Sequence, residues 1–209
     1  MRLNKAQFKL LNTLLLTDSS GTLLPNYFYK HGGYAVGDLE TELTVRNNTD
    51  MPIRIVDIRA AKTCTKPIGG TLFWAPGQSA IGSIVLGFNL DLTSTDAKVT
   101  RGYPPKSTTP DYFPQYTVAI KPGMIQVFDM LASSGKYSCE FKYFFSILEG
   151  NKQVSELIGQ GSGSFRVSAL PSNHGISHYL AKYNVVYVGG TSSNVRGGRW
   201  VRVNPRTYG

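Results

Sequence analysis

Apolar and polar side chains take turns along most of this chain at a period of two, the signature of half-buried strands. Leu43 and Val45 alternate with Glu42, Thr44 and Arg46, and the polar run Asn47-Asn48-Thr49-Asp50 turns the chain before Pro52 restarts it. From Ile53 to Ala60 the alternation changes phase at Ile55-Val56, as one extra residue in a β-bulge would do. Residues 71–74 and 83–88 read as further short strands. Tyr116 to Ile120 and Met124 to Phe128 flank Lys121-Pro122-Gly123, a hairpin-like turn set by the Pro and Gly dihedrals. Residues 137–147 carry Cys139, Phe141, Tyr143, Phe145 and Ile147 on one face. Glu149-Gly150-Asn151-Lys152 then turns the chain into residues 153–158, and Phe165, Val167 and Ala169 mark another strand.

Helix signals are few. Residues 176–183 form the single plausible helix, and the glycine-rich Gly159-Gln-Gly161-Ser-Gly163 reads as a flexible hairpin loop between two strands. Residues 91–114 are polar, contain Pro104-Pro105 and Pro110, and read as a long exposed connection. At the start, Arg2 to Leu16 has a basic head, and Asn12-Thr13 interrupts its apolar part. It reads as an early strand or an amphipathic segment ending at the turn of Asp18 to Gly21, with no convincing signal-peptide cleavage site. About ten strands with little helix predict an all-β fold, an immunoglobulin-like antiparallel β-sandwich. Tyr137, two residues before Cys139, matches a tyrosine corner, and Trp74, ten residues after Cys64, stands where such domains place a core Trp.

Composition supports a core, since 41% of residues are hydrophobic and 11% aromatic. Charged residues are only 17%, and no apolar run is long enough for a membrane span. The net charge of +9 is uneven: residues 38–156 hold twelve basic and twelve acidic side chains, the first 37 residues give +3, and the chain from Leu157 onward gives +6 without an acid. The expected organisation is therefore an N-terminal arm or early strands over 1–37, a β-sandwich core over 38–170, and a basic extension over 171–209 packed on or beside it. Arg196, Arg199, Arg202 and Arg206 are the candidate residues for an anionic partner, because Coulomb attraction to a charged polymer needs no detailed geometry. A solvated tail is the plainer alternative. Nucleic acid is disfavoured, since Arg196-Gly-Gly-Arg199-Trp200-Val-Arg202, one short stretch with one Trp, is the closest approach to a basic and aromatic recognition module.

Two cysteines bear on the compartment. Cys139 points at the core with its strand-mates, and Cys64 continues the phase of Val56, Ile58 and Ala60, so the pair could bond across the sandwich or remain as two buried thiols. Closing a loop of that length would contribute about 4 kcal/mol in the chain-entropy model. Oxidation implies a location outside the cytoplasm.

Catalytic patterns are sparse. His174 and His178 are four apart but Gly175 weakens a helix there, and His31 precedes Gly32-Gly33 in a turn, so none predicts a metal centre. Asp38, Glu40 and Glu42 alternate on a strand edge and read as a solvated face rather than a glycosidase pair. Asn89-Leu90-Asp91 lacks the further ligands of a calcium loop, and Asn47-Asn48-Thr49 is formally a glycosylation sequon. No cofactor is expected. Tyr27-Phe28-Tyr29 and Tyr112-Phe113 either pack on the sandwich or offer an aromatic platform to sugar rings.

Several segments together, among them Leu43-Thr-Val45-Arg-Asn-Asn-Thr, Ile55-Val-Asp57-Ile58-Arg59, Lys62-Thr-Cys64, Pro67-Ile-Gly-Gly70-Thr71-Leu72-Phe73, Phe165-Arg-Val167-Ser-Ala169 and Asn204-Pro205-Arg-Thr-Tyr208, resemble a family of uncharacterised actinobacterial proteins. The resemblance spans roughly residues 28 to 208. It implies an extracytoplasmic β-rich domain, with a membrane anchor near the N-terminus in the relatives that this sequence does not show. The expected function is a non-enzymatic envelope interaction module, with an anionic envelope polymer, a membrane surface or another envelope protein as partner. A carbohydrate- or cell-wall-binding module is the alternative, and a hydrolase with an unrecognised site the third.

Overall fold

A computed structural model of the chain describes residues 3–17, 22–75, 85–100, 106, 108–113, 115–169, 179–190 and 198–208. Thirteen strands and two helices are present among them. The fold is mostly β, as the alternation predicts, but the chain divides into two compact units with discontinuous sequence. Unit 1 takes Met1–Tyr34, Ile68–Ala80 and Pro171–Gly209, and unit 2 takes Ala35–Pro67 and Ile81–Leu170. Both termini and a central segment thus share one unit.

Unit 2 has two sheets around one core. The larger runs β1(Ala35–Val36), β11(Phe165–Ser168), β9(Ser138–Glu149), β3(Ile53–Thr65), β7(Val118–Ile120), with β10(Lys152–Ile158) also on β9. The smaller runs β2(Asp38–Arg46), β8(Ile125–Ser133), β5(Val85–Asn89), β6(Lys98–Thr100). Alternation decides which side chains turn inward. Ile55, Ile58 and Ala60 of β3 meet Phe141, Tyr143 and Phe145 of β9 and Phe128, Met130 and Ala132 of β8 in a single buried cluster. The phase change at Ile55-Val56 is a register shift between Ile55 and Asp57 in the β3–β9 ladder, as expected of a bulge.

Not all of the pairing is antiparallel. β5 runs parallel to β8 and β1 parallel to β11, so the sheets are mixed. Alternation is blind to strand direction, which is set instead by long connections. The stretch expected to be an exposed loop is partly core: Ala97 and Phe113 are buried, and Lys98–Thr100 is β6. Asp96 bridges to Arg59 of β3 while Lys98 pairs with Gly87 of β5, so this segment steps from the edge of one sheet to the edge of the other. Lys98, 7% exposed, places its ammonium 2.7 Å from the Thr109 carbonyl and 2.5 Å from Asp111. Residues 159–164 do not make a hairpin. β10 and β11 lie in line on the same edge of β9, with Ile158 opposite Tyr143 and Phe165 opposite Phe141, and the glycine-rich segment bulges out between them.

Unit 1 joins α1(Lys5–Thr17) and α2(Leu23–Lys30) to a three-stranded sheet of β13(Val201–Val203), β12(Val185–Val188) and β4(Thr71–Trp74), in which β12 and β4 are parallel. The N-terminal segment is thus a helix and not a strand. Asn4 and Gln7 form a capping box, each side chain accepting from the other's backbone N–H at 2.9 and 3.1 Å. Phe8, Leu11 and Leu15 then recur at helical spacing and pack with Val185, Tyr187 and Trp200. Residues 27–29 lie in α2, which ends in a Schellman motif. Gly33 N–H donates to the Phe28 carbonyl at 2.7 Å and Gly32 N–H to that of Tyr29 at 3.1 Å, with Gly32 at φ 77°. Of the helix expected over 176–183, residues up to 178 lie outside the described ones; Tyr179 and Leu180 are helical and lead into a turn.

Candidate functional site

Apportioning the formal charge between the units changes its meaning. Unit 1 holds nine of the 22 basic side chains and one of the 13 acidic ones, a balance of +8, while unit 2 has thirteen against twelve. Apart from Arg166, which lies in unit 2, the basic side chains of the two ends seen in sequence belong to one compact body. Asp18 is its single acid.

Within unit 1, α1 and the strand edge at Arg199–Arg202 enclose a hollow of about 920 Å3 lined by Phe8, Lys9, Asn12, Thr13, Leu16, Arg199, Trp200, Val201 and Arg202. Its position follows from one bond. The Asn12 side-chain oxygen accepts the Trp200 backbone N–H at 2.7 Å, and the same carboxamide donates to the Phe8 carbonyl at 3.0 Å, which fixes the helix against the strand. Asn12, which interrupts the apolar run in sequence, therefore makes the join. Trp200 is 2% exposed and packs edge-on against Phe73 at 5.3 Å between ring centroids. Its indole N–H is buried and finds no acceptor among the described residues. Lys9, Arg199 and Arg202 are exposed, and no carboxylate, histidine or cysteine lines the hollow among the described residues. Three cationic side chains with no acid beside them give the hollow a positive lining, and among its described residues there is no pair of groups suited to proton transfer. A smaller hollow of about 400 Å3 along Asn184, Val203, Asn204 and Pro205 shares Arg202.

The sequence candidates are distributed unevenly over this site. Arg199 and Arg202 line it, Arg206 lies in the turn after β13, and Arg196 falls outside the described residues. Lys9, Asn12 and Trp200 were not among the anion candidates, although the +3 of the N-terminal segment pointed to Lys9. His174 and His178 also lie outside the described residues, and His31 stacks on Tyr27 at 4.2 Å with Nδ1 2.7 Å from the Tyr27 carbonyl.

Cys64 and Cys139 are disulfide-bonded. They sit directly opposite each other on β3 and β9, with Cα atoms 4.1 Å apart, so the bond joins neighbours in one sheet instead of crossing between sheets. Alternation shows which face a cysteine takes but not which strand lies next to it. The immunoglobulin markers fare likewise: Tyr137 is 44% exposed, and Trp74 belongs to β4 of unit 1.

The remaining polar candidates are occupied structurally. Asn47, 1% exposed, donates to the Met51 and Ile120 carbonyls, each at 2.9 Å, and accepts from Thr49 N–H at 2.9 Å and Oγ1 at 2.8 Å. A side chain so engaged is not presented as a glycan acceptor. Asp91 accepts from Ser134 Oγ at 2.8 Å, Gly135 N–H at 2.7 Å and Lys136 N–H at 3.2 Å, which leaves its carboxylate holding the β8–β9 turn. Asp38, Glu40 and Glu42 are exposed along β2. Among the described residues no group of three His, Cys, Asp or Glu could hold a metal ion, and no helix is long and apolar enough to cross a membrane. Tyr27 and Phe28 pack in unit 1, and Phe113 is buried in unit 2; Tyr112, tilted against Tyr116 at 5.1 Å between ring centroids, lines a hollow of about 430 Å3 with Thr117, Gln126 and Asp129. No family model, curated protein or solved structure matches the chain.

Proposed function

We propose that the protein is a non-enzymatic interaction module of the cell envelope, working outside the cytoplasm, whose unit 1 docks on an anionic envelope polymer or membrane surface or on an acidic face of another envelope protein. The observation that carries this reading is the segregation of charge, +8 on one body and +1 on the other. A body with charge of one sign draws a polyanion to it by Coulomb attraction, which a near-neutral body does not. The Cys64–Cys139 disulfide supports an oxidising compartment, in keeping with the actinobacterial envelope family that the sequence resembles. The two-sheet unit 2 is read as an immunoglobulin-like sandwich with parallel insertions, serving as the scaffold.

The test is retention of the full chain on a polyanionic matrix and on a neutral glycan matrix across a salt series. Retention on the polyanion that falls steeply between 50 and 200 mM salt, on the order of tenfold or more as counterion release requires, supports the reading. Salt-independent retention on the neutral glycan alone overturns it in favour of the second reading, a carbohydrate-binding module, which the Tyr112–Tyr116 pair beside Gln126 and Asp129 favours.

A further inference from the structure

Resting on the anionic-surface reading, we propose that the hollow between α1 and β13 is a seat for the phosphate headgroup of an anionic phospholipid. Cationic side chains of two kinds line it. Arg199 and Arg202 supply planar guanidinium forks suited to two phosphate oxygens at once, and Lys9, from the facing helix, supplies a compact charge on the other side. A site for a wholly hydrophilic polyanion would need only these.

This one also carries apolar side chains on the same rim. Leu16 is 49% exposed and Val201 38%, and both line the hollow beside the cations. Leu10 on α1 and Leu23 at the start of α2 are further leucines that unit 1 leaves largely in water. Cations next to exposed aliphatic groups on one helix match the boundary between headgroups and acyl chains, where each kind of group finds its own solvent. Trp200 lines the hollow as well, with its indole N–H buried and without an acceptor among the described residues. A headgroup seated there lies against Trp200, whose emission reports the event.

The experiment uses the full chain carrying Trp74→Phe, which leaves Trp200 as the single tryptophan. Vesicles containing phosphatidylglycerol are expected to change its emission, and vesicles of phosphatidylcholine alone are not. Arg199→Ala combined with Arg202→Ala is expected to weaken partition about 25-fold, at roughly fivefold per cation near an anionic surface. Leu16→Gln with Val201→Thr, both exposed and both keeping local propensity, is expected to weaken binding to vesicles while leaving binding to soluble polyphosphate unchanged. If polyphosphate alters Trp200 emission as strongly as the vesicles do and the Leu16/Val201 variant binds vesicles normally, the hollow reads a phosphate polymer and the lipid assignment falls. If the chain still binds anionic matrices with steep salt dependence, but neither Trp200 emission nor either variant responds, the site is wrong and the broader reading stands. Loss of all salt-sensitive binding would overturn both.

Discussion

Asn47 shows how a residue that looks like chemistry can be wholly consumed by structure. Its carboxamide takes part in four hydrogen bonds that tie the turn after β2 to the end of β7. Asn47→Ala leaves two carbonyls and a backbone N–H without these partners, and the expected loss is about 2–3 kcal/mol at typical net values per bond, read as a lower urea midpoint with unchanged slope. Asp57 makes a contrasting prediction. Burial raises its pKa above the ordinary 3.8 against the opposing pull of Arg59, and Asp96 and Asp111 push the same way as burial. The folded state therefore favours the protonated carboxyl. Its contribution is full below the unfolded value near pH 4 and is lost as pH rises through the higher folded value. Asp57→Asn should accordingly be more stable than the parent at pH 7, with the difference vanishing near pH 3, as thermal melts across that range will report. A difference that grew toward acid would contradict the assignment.

At the scale of elements, the strands of unit 2 were legible because β9 and β3 alternate cleanly for most of their length, and even the Ile55-Val56 bulge announces itself as a phase slip. What period two does not carry is neighbourhood. Nothing in the alternation places Cys64 opposite Cys139 on adjacent strands or sets β5 parallel to β8. The helix α1 was ambiguous for a different reason: its polar interruption at Asn12 breaks the apolar run, and only the Trp200 backbone N–H, 188 residues away, explains why a polar group is needed there. Its capping pair Asn4 and Gln7 was a readable signal all the same. Two tests belong here. Gly32→Ala should cost unit 1 about 1 kcal/mol, because the α2 terminus requires a left-handed residue at φ 77°. Replacing both cysteines by serine removes a 75-residue loop closure and should cost up to about 4 kcal/mol in the chain-entropy model; thiol titration of the denatured, unreduced parent should find no free thiol.

For the molecule as a whole, the charge was visible as two basic ends and the proposed anion site was half visible, since Arg199 and Arg202 stood out while Lys9 and Trp200 did not. The missing half was a matter of topology. Composition counts charges without saying which distant segments share a body, and here Lys9 of α1 and Arg202 of β13 line one hollow. It follows that residues 1–37 are not an appendage in energetic terms. Deleting residues 1–17 removes Leu11, Phe8 and Leu15 from the cluster around Tyr187 and Trp200. Such a deletion should unfold unit 1, seen as loss of protection from proteolysis over residues 179–208, instead of yielding a trimmed but intact protein.

The Asn12–Trp200 bond also orders events in time. Asn12 of α1 precedes Trp200 by 188 residues, so during synthesis the helix is made long before the residue whose backbone N–H donates to Asn12. Until Val185, Tyr187 and Trp200 have followed, Phe8, Leu11 and Leu15 lack those packing partners and are available to a chaperone that holds a nascent apolar helix. Arrival of Trp200 is what ends that availability.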